Sequence, residues 1–426
     1  MSKAEPWGFD LSDITGFWSE PLETRSAAFA ELRGRAELPF FEAPTRPIPD
    51  PGAGYYALTR YDDIVDASRA PGIFTSGLGA TTLADLSPQL RTFLDSMIHT
   101  DDPRHARLRR IVSRGFTRKR LAGLQDSIQR AASSAVDSLL RSRECDAVET
   151  IASRFPLTII CDMMGIPQEL HEFVHQRTNV LAGSADPGYT ERHGSGFAAL
   201  LAAARELTGL MHGLAEQRRV EPTDDVTSAL MHAEIEGERL SPDELASFFI
   251  LLLAAGSETT RNAISWGFYL LTRHPDQRTV WLADPDAVTA AAVEEIIRWS
   301  SPIIFMRRTL STAATIGGSV VPARAKVAMF YWSANRDPSH FDRPDEFDVR
   351  RLRNRHIGFG GPGPHYCLGA HLARNELATL FTELLKRAPR FATTSEPYRL
   401  RSMFINGIVR LPIVADTGDT GAPASR

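Results

Sequence analysis

The stretch of sequence that decides the fold is HIGFGGPGPHYCLGAHLAR, residues 356–374. Glycines and prolines fill the loop before Cys367, and a helical run begins directly after it. The N-terminus of such a helix directs backbone N–H groups towards the sulfur, which favours a thiolate over a thiol. The glycines let the backbone pass close to a flat and bulky group. The sequence therefore predicts that Cys367 is a thiolate ligand for iron on a rigid loop.

A second informative segment is a long apolar helix in the middle of the chain. Ser241 and Glu244 form a predicted capping box, and the helical pattern ends at His274, before a proline. Within it the string AGSETT places Glu258 and Thr259 in an otherwise apolar stretch. A carboxylate buried there without a purpose would cost several kcal/mol. The pattern therefore favours a role for this acid and its neighbouring hydroxyl.

The cysteine loop resembles the haem-ligand loop of cytochromes P450. That family has a glycine four residues before the cysteine, a basic residue two before it and a glycine two after it. Those positions here are Gly363, His365 and Gly369. The family places an aromatic residue seven before the cysteine, whereas this chain has Gly360 there and Phe359 one residue further away. This departure indicates a one-residue insertion in the loop.

The resemblance extends over residues 17–414 and implies the cytochrome P450 fold. That fold class is mainly α (α+β), with a large helical body, a long central helix and small antiparallel β-sheets. We predict a single domain over residues 16–415, a loose N-terminal arm over residues 1–15 and a disordered tail over residues 416–426.

Three strand signals accompany the helical pattern. One strand is predicted near Tyr55–Thr59. A hairpin is predicted to turn at Gly317-Gly318, and a second at Asn406-Gly407, between residues 403–405 and 408–411. Both turns contain residues that adopt the positive φ of tight hairpins.

The resemblance also implies the cofactor and the residues that surround it. Haem b would be held by Cys367 as the axial ligand of its iron. Four basic residues are assigned to the haem propionates: His105, Arg109, Arg308 and His365. Further haem contacts are assigned to Ala255, Phe359, Gly360, Gly363 and Gly369. Glu258 would be the acid and Thr259 the alcohol that deliver protons to bound dioxygen.

A structural cluster is implied by the same resemblance. Glu295 and Arg298 lie at i and i+3 of a predicted helix, side by side on one face. They match the family's Glu-x-x-Arg pair, and Arg351 is the best match for its third member.

The predicted reaction is the insertion of one oxygen atom of O₂ into a C–H bond of a hydrophobic substrate. The segments GSETTRNAI, MRRTL, SANRD and RSMFINGI resemble actinobacterial P450 enzymes that hydroxylate methyl-branched lipids and sterol side chains at the terminal (ω) carbon. The residues assigned to the substrate channel are Met97, Ile98, Leu252, Ile304, Phe305, Met403 and Phe404. The alternative substrate class is a terpenoid or a polyketide of secondary metabolism.

Composition restricts the partners and the compartment. The net charge of −4 does not favour nucleic acid as a partner, and three cysteines in 426 residues are typical of a reducing cytoplasm. The longest apolar run, Phe248–Ala255, is far too short to span a membrane. We expect a monomer that receives electrons from a ferredoxin and its reductase. The residues assigned to part of a ferredoxin-docking face are Arg107, Arg109, Arg110, Arg114, Arg118 and Arg374.

Two other classes of function stay open at this point. The string HEFVH, His171–His175, matches the zinc-protease motif, in which both histidines bind zinc and Glu172 acts as a general base. The other alternative is a haem protein without catalysis, such as a sensor or a carrier. Against it stands the pair Glu258–Thr259, because a passive haem pocket needs no proton path.

Overall fold

A computed structural model describes residues 8–43, 54–83, 85, 96–183, 196–235 and 237–416. Residues 1–7 of the predicted arm and residues 417–426 of the predicted tail lie outside these ranges. The rest of the predicted arm is packed, because Leu11 is fully buried and its carbonyl accepts a hydrogen bond from the indole N–H of Trp18 at 2.8 Å. The ordered chain therefore begins before residue 16.

Helices make up most of the described chain. The first seven α-helices are α1 (Leu22–Gly34), α2 (Tyr61–Arg69), α3 (Arg104–Val112), α4 (Arg118–Gly123), α5 (Gln125–Ser142), α6 (Arg154–Met164) and α7 (His171–Gly183). The next four are α8 (Gly196–Val220), α9 (Val226–Met231), α10 (Pro242–Leu252) and α11 (Glu258–Arg273). The last four are α12 (Pro275–Ala283), α13 (Pro285–Ser300), α14 (Tyr331–Ala334) and α15 (Ala370–Arg387).

The central helix has the predicted start and an interruption that its sequence pattern did not indicate. The capping box is confirmed: the Ser241 hydroxyl accepts from the Glu244 N–H at 3.1 Å, and the Glu244 carboxylate accepts from the Ser241 N–H at 3.0 Å. Between α10 and α11 the backbone widens into a π-helical turn, Leu253–Ser257. This turn lies directly before Glu258 and Thr259, and π-turns often occur at functional sites.

The strands form small sheets beside the helical body. The strands are β1 (Phe40–Phe41), β2 (Tyr55–Leu58), β3 (Phe74–Thr75), β4 (Glu144–Asp146), β5 (Phe305–Leu310), β6 (Ala314–Ile316), β7 (Ser319–Val321), β8 (Lys326–Phe330), β9 (Arg390–Thr393), β10 (Tyr398–Arg399), β11 (Ile408–Arg410) and β12 (Pro412–Asp416). The largest sheet has the order β1-β2-β8-β5-β3. The pair β2–β8 is parallel, so the sheets are not antiparallel throughout. The predicted hairpin at Gly317-Gly318 is confirmed.

The hairpin predicted at Asn406-Gly407 is wrong. The side chain of Asn406 donates a hydrogen bond to the carbonyl of Ser300, and its backbone N–H donates to the carbonyl of Pro302 at 2.9 Å. Strand β11 pairs instead with β10, and Ile405 forms a single bridge with Ile303. Long-range bonds from Asn406 to the end of α13 therefore replace the local turn.

In the core, α11, α13 and α15 pack against one another. Trp266 on α11 is fully buried, its N–H donates to the carbonyl of Asn406 at 2.9 Å, and its ring lies 5.4 Å from that of Trp299 on α13. Within the described residues, no helix is both long and apolar enough to cross a membrane. This packing brings the central helix opposite the loop that carries Cys367.

Candidate active site

The cysteine loop is held by backbone bonds and by close packing. The N–H of Cys367 donates to the carbonyl of Phe359 at 2.9 Å, and Gly360 between them has φ +90°. A Cβ atom at Gly363 would overlap the carbonyl oxygen of Ser68 at the end of α2. Glycine is therefore required at these two positions for different reasons, one conformational and one steric.

Opposing influences act on the Cys367 thiol, which borders a cavity. Burial raises the pKa of the Cys367 thiol, while the N–H groups of Gly369 and Ala370 and the cations of Arg109 and Arg374 oppose that rise. A coordinating metal ion deprotonates a thiol outright. Thiolate formation in this loop is therefore coupled to metal binding.

A cavity of about 460 Å³ lies between the central helix and the cysteine loop. Its walls are mainly apolar, and polar groups lie at the start of α11, directly after the π-turn, and on the cysteine loop. The predicted site residues that line it are Met97, Ile98, His105, Arg109, Leu252, Ala255, Glu258, Thr259, Arg308, Phe359, Gly360, His365, Cys367, Gly369 and Phe404. The structure thus brings together residues from six separate segments of the chain.

Three residues that the sequence assigns to the channel lie elsewhere. Ile304, Phe305 and Met403 are buried in a neighbouring apolar cluster with residues of β2 and β8. For Phe305 strand alternation explains the error, because Met306 and Arg308 share one face of β5 and turn towards the cavity. Phe305 then lies on the opposite face, where its ring packs 5.6 Å from that of Phe330.

Several cavity residues were missed by sequence reasoning. They are Phe116, Ile160, Thr178, Leu181, Phe248, Leu251, Ile303, Met306 and Ile405. A signal existed for two of them, because Phe248 lies four residues before Leu252 and Leu251 lies four residues before Ala255, which is a helical spacing. The others come from separate segments, and only the tertiary fold places them together.

One side of the cavity contains buried basic groups with unused hydrogen-bonding capacity. Of these, His105 lies near a carboxylate, with its Nδ1 atom 3.7 Å from Asp102 Oδ1. The rings of His105 and His365 lie 4.1 Å apart, and the buried Nε2 atom of His105 has no hydrogen-bond partner. Arg308 is 7% exposed and donates to the carbonyl of Arg307 at 2.7 Å; no carboxylate of the described residues lies within 4.0 Å of it. Burial, with Arg308 and His105 nearby, lowers the pKa of His365 to about 2. A bound anion would relieve these unsatisfied groups.

This donor set fits haem. The described residues contain no group of three or more His, Cys, Asp or Glu side chains that could hold a metal ion by themselves. A single cysteine facing a cavity, with basic residues at its edge, suits a metal that brings its own planar ligand and two carboxylates. The unpartnered Nε2 of His105 and the buried cation of Arg308 are the observations that support this fit.

The acid and the alcohol of the central helix are held by their own helix. Glu258 is 6% exposed; one carboxylate oxygen accepts from Asn262 Nδ2 at 3.1 Å and the other lies 3.3 Å from Arg261 Nη1. The Thr259 hydroxyl donates to the carbonyl of Ala255 in the π-turn at 2.6 Å. Both side chains border the cavity, so either can exchange its present partner for a group inside it.

The predicted cluster of Glu295, Arg298 and Arg351 is present and fully connected. Arg298 donates to both carboxylate oxygens of Glu295 at 2.7 and 2.8 Å. Arg351 Nε reaches the same two oxygens at 3.1 and 3.0 Å. These side chains do not border the cavity, which is the arrangement expected of a structural cluster.

The two histidines of HEFVH do not form a metal site. His171 Nε2 lies 3.1 Å from the carbonyl of Ile166, and His175 Nε2 lies 3.4 Å from Asn179 Nδ2. Glu172 instead forms an ion pair with Arg154 at 3.0 Å. The zinc-protease alternative is therefore not supported by the geometry.

Several arginines assigned to the docking face already have partners. Arg107 pairs with Glu238 at 2.8 Å and with Glu244 at 2.7 Å. Arg109 donates to the carbonyl of Tyr366 at 2.6 Å. Arg374 is bound by a glutamate of α13, and the side chain of Arg118 lies outside the described part of the chain. Arg114 of the predicted set is exposed.

Comparison with known proteins identifies the family. Residues 190–279 and 287–395 match the family model of cytochrome P450. The chain is 46% identical over 402 residues to a methyl-branched lipid omega-hydroxylase of Mycobacterium tuberculosis, covering 93% of this chain and 92% of the relative. It is 33% identical to a steroid C26-monooxygenase of Rhodococcus jostii, covering 98% of this chain and 87% of the relative.

A solved structure is also closely similar. A Mycobacterium marinum cytochrome P450 in complex with pseudoionone superposes with a TM-score of 0.87 and 37% identity, covering 93% of this chain and 96% of that one. The chain belongs to the cytochrome P450 family. It is an oxidoreductase of the monooxygenase type, and the family implies a haem-thiolate cofactor. The non-catalytic haem protein considered above is thereby excluded.

Proposed function

We propose that this protein hydroxylates the terminal (ω) carbon of a methyl-branched lipid or of a sterol side chain. The single observation that carries the proposal is the 46% identity to methyl-branched lipid omega-hydroxylase over 93% of the chain. The steroid C26-monooxygenase relatives favour attack at the end of a branched alkyl chain as well. The mainly apolar cavity beside Cys367 suits such a chain.

The cofactor would be haem b, with Cys367 as its axial ligand. When bound, the haem supplies the iron centre at which O₂ is activated. His105, Arg109, Arg308 and His365 would bind its propionates. The unpartnered Nε2 atom of His105 and the buried cation of Arg308 support this assignment. Phe359, Gly360 and Gly369 would contact it from the cysteine loop, and Ala255 from the π-turn. Gly363 lets the same loop pack closely against the backbone of Ser68.

Proton supply is the proposed task of Glu258 and Thr259. Glu258 can take up a proton when it leaves Arg261, and Thr259 can donate its hydroxyl hydrogen when it leaves the carbonyl of Ala255. Both groups lie at the cavity wall, where the π-turn opens the backbone. General acid catalysis of this kind contributes on the order of 10²–10⁴ in rate.

The cavity would select the terminal carbon by shape. Primary C–H bonds are the least reactive, so the walls must hold the chain end against the reacting centre. The described residues suited to this are apolar and come from four separate segments of the chain: Met97, Ile98, Leu252, Ile303, Met306 and Phe404. None of these side chains offers a charge, which favours the hydrocarbon end of the substrate.

Two electrons would arrive one at a time from a ferredoxin and its reductase, with Arg114 as an exposed member of the docking face. Three unpaired cysteines favour the cytoplasm. We expect a monomer.

The first experiment is the difference spectrum of the reduced protein with carbon monoxide, for wild type and Cys367→Ser. The wild type is expected to give a strongly red-shifted Soret band, and the variant is expected to lose both that band and turnover. Cys161→Ser is the control, because Cys161 is fully buried in the helical core and away from the cavity. A variant Cys367→Ser that retains the band and turnover would overturn the ligand assignment.

The second experiment tests the substrate class. Methyl-branched fatty acids, sterols with intact side chains, terpenoids and polyketides are titrated into the ferric protein, and the spin-state change is followed. Branched lipids or sterols are expected to bind and to yield the ω-alcohol. Binding and turnover confined to terpenoids or polyketides would replace the proposed substrate class with the alternative.

A further inference from the structure

A carboxylate next to the Glu295 cluster holds two groups that support the cysteine loop. Glu294 on α13 accepts hydrogen bonds from His356 Nε2 at 2.8 Å and from Arg374 Nη2 at 3.0 Å. Its second oxygen accepts from Arg374 Nε. We call these three residues, Glu294, His356 and Arg374, the loop clamp. Sequence reasoning did not single out any of them for this role.

The first arm of the loop clamp fixes the start of the loop. The side chain of His356 is 1% exposed, and its Nδ1 atom accepts from the N–H of Gly358 at 3.1 Å. With Nδ1 as an acceptor, the ring donates from Nε2 to Glu294. A Cβ atom at Gly358 would lie only 2.9 Å from Ile297 on α13, so the chain passes close to that helix here.

The second contact of the loop clamp is that of Arg374 with Phe359, the residue whose carbonyl binds the N–H of Cys367. The guanidinium of Arg374 lies over the ring of Phe359, 4.4 Å from its centroid, as a cation on an aromatic face. The carbonyl of Phe359 in turn accepts the N–H of Cys367 at 2.9 Å. Arg374 also places a positive charge close enough to act on the Cys367 thiol. Glu294 partly neutralises this charge.

Gly360 follows Phe359 with φ +90°, where the family resemblance indicates one extra residue in the loop. A longer and glycine-rich loop has more freedom, and the loop clamp removes that freedom on both sides of Phe359. We propose that Glu294 is a positioning residue of the haem-thiolate centre, which fixes Phe359 through His356 and Arg374 and so sets the electron donation of the Cys367 sulfur. Groups that hold a metal ligand and the charges near it tune the reduction potential.

The direction of the effect follows from charge. Loss of the Glu294 carboxylate leaves the Arg374 cation without its anion next to the cysteine ligand. An added positive charge favours the state that has gained an electron, so the reduction potential rises. Without the hydrogen bonds of Glu294 to His356 and Arg374, the loop is also less rigid. The bond between the Cys367 sulfur and the haem iron is then more easily broken.

The test compares Glu294→Gln with Glu383→Gln in the haem-loaded protein without substrate. Glu383 is a matched control, because it also pairs with an arginine, Arg387 at 3.1 Å, but lies far along α15 from the cysteine loop. At a fixed redox poise, Glu294→Gln is expected to raise the reduced-to-oxidised ratio about tenfold, equal to about 59 mV for one electron. Its carbon monoxide complex is expected to lose the red-shifted band with time, whereas Glu383→Gln matches the wild type.

A second variant keeps the proposal testable if Glu294→Gln does not fold. Arg374→Lys retains the cation but lacks the planar fork that binds Glu294 and covers Phe359. It is expected to lose the red-shifted band with time. The proposal is overturned if Glu294→Gln, or Arg374→Lys in its place, matches Glu383→Gln in potential and in band stability.

The inference rests on haem-thiolate ligation and not on the proposed substrate. A wild-type protein without the red-shifted band would remove the ligand assignment and the loop clamp together. Failure of the lipid and sterol screen, with the band present, would leave the loop clamp to be decided by its own variants.

Discussion

Two glutamate–arginine pairs in this molecule have the same spacing and opposite surroundings. Glu295 and Arg298 on α13, and Glu258 and Arg261 on α11, both stand at i and i+3. The side chains of the first pair are 0% exposed and 2.7 Å apart, whereas those of the second are 8% and 16% exposed and 3.3 Å apart. Spacing alone therefore does not distinguish a structural pair from one that borders a reaction cavity.

The two pairs differ in how completely the hydrogen-bond donors of the arginine are satisfied. Besides binding Glu295, Arg298 donates to the backbone carbonyls of Asn335, Pro344 and Glu346 at 2.8, 2.6 and 3.0 Å. Arg261 has a buried Nε atom without a partner. A fully satisfied buried network is rigid, while an incompletely satisfied one can exchange partners. The first pair therefore holds the fold, and the second is suited to moving a proton.

The largest expected effect comes from breaking the saturated pair. Arg298→Lys keeps the charge but cannot reach all the acceptors, so buried carbonyls lose their donors. We expect a loss of about 3–5 kcal/mol in the free energy of unfolding. Denaturant unfolding monitored by circular dichroism measures it.

The matched control is Arg261→Lys on the other pair. It is expected to lower the free energy of unfolding by less than about 1 kcal/mol, because this pair makes fewer hydrogen bonds and is more exposed to solvent. Equal losses in the two variants would contradict the distinction between the pairs.

The next effect concerns turnover. Glu258→Gln removes the acid and is expected to lower the turnover number about 100-fold, about 2.7 kcal/mol in activation free energy. Thr259→Ala is expected to retain haem binding but to divert reducing equivalents to peroxide. Product and peroxide formed per NAD(P)H are the quantities to measure.

Glu172→Gln is the control for this pair of variants, because it removes an exposed carboxylate of α7 that is paired with Arg154. Its turnover is expected to match the wild type. Full coupling in Thr259→Ala, or normal turnover in Glu258→Gln, would refute the proton path.

The smallest effect concerns a third carboxylate–arginine contact, that of Glu294 with Arg374. Burial raises the pKa of the Glu294 carboxyl, but hydrogen bonds from His356 and Arg374 and the charge of Arg374 prevail and bring it from 4.5 to about 2. Because the folded pKa is the lower one, its stabilisation is complete above about pH 4.5 and is lost as pH falls towards 2. We expect the ionised Glu294 carboxylate to stabilise the folded state by about 2 kcal/mol. This is less than the full pKa shift would give, because the side chain is one quarter exposed and solvent screens it.

The measurement is the difference in unfolding free energy between wild type and Glu294→Gln as a function of pH. The difference is expected to be constant near neutral pH and to shrink below about pH 4.5. A difference that stays constant down to pH 2 would contradict the lowered pKa.

Local signals allowed much of the site to be predicted. The glycines around Cys367, the Ser241 capping box and the Glu295–Arg298 spacing each depend on a few neighbouring residues. Glu258 and Thr259 stood out as polar residues in an apolar helix. Each of these features is governed by backbone geometry within one or two turns, which a sequence displays directly.

Features set by distant contacts were not predictable. The sequence around Asn406 predicts a tight turn, but hydrogen bonds from Asn406 to the carbonyls of Ser300 and Pro302 hold the chain in a different conformation. The face of β5 that meets the cavity depends on pairing with β8, so Phe305 was chosen in place of Met306. The role of Glu294 requires three segments to meet, and no single segment carries a sign of it.

The π-turn at Leu253–Ser257 has a consequence for how this enzyme can change. A turn with i→i+5 bonds holds one residue more than an α-helical turn, and each residue rotates the helix by about 100°. The helical phase of α10, which presents Phe248 and Leu251 to the cavity, is therefore offset from that of α11, which presents Glu258. Mutations on α10 can therefore change which molecules fit the cavity without replacing Glu258 and Thr259 on α11.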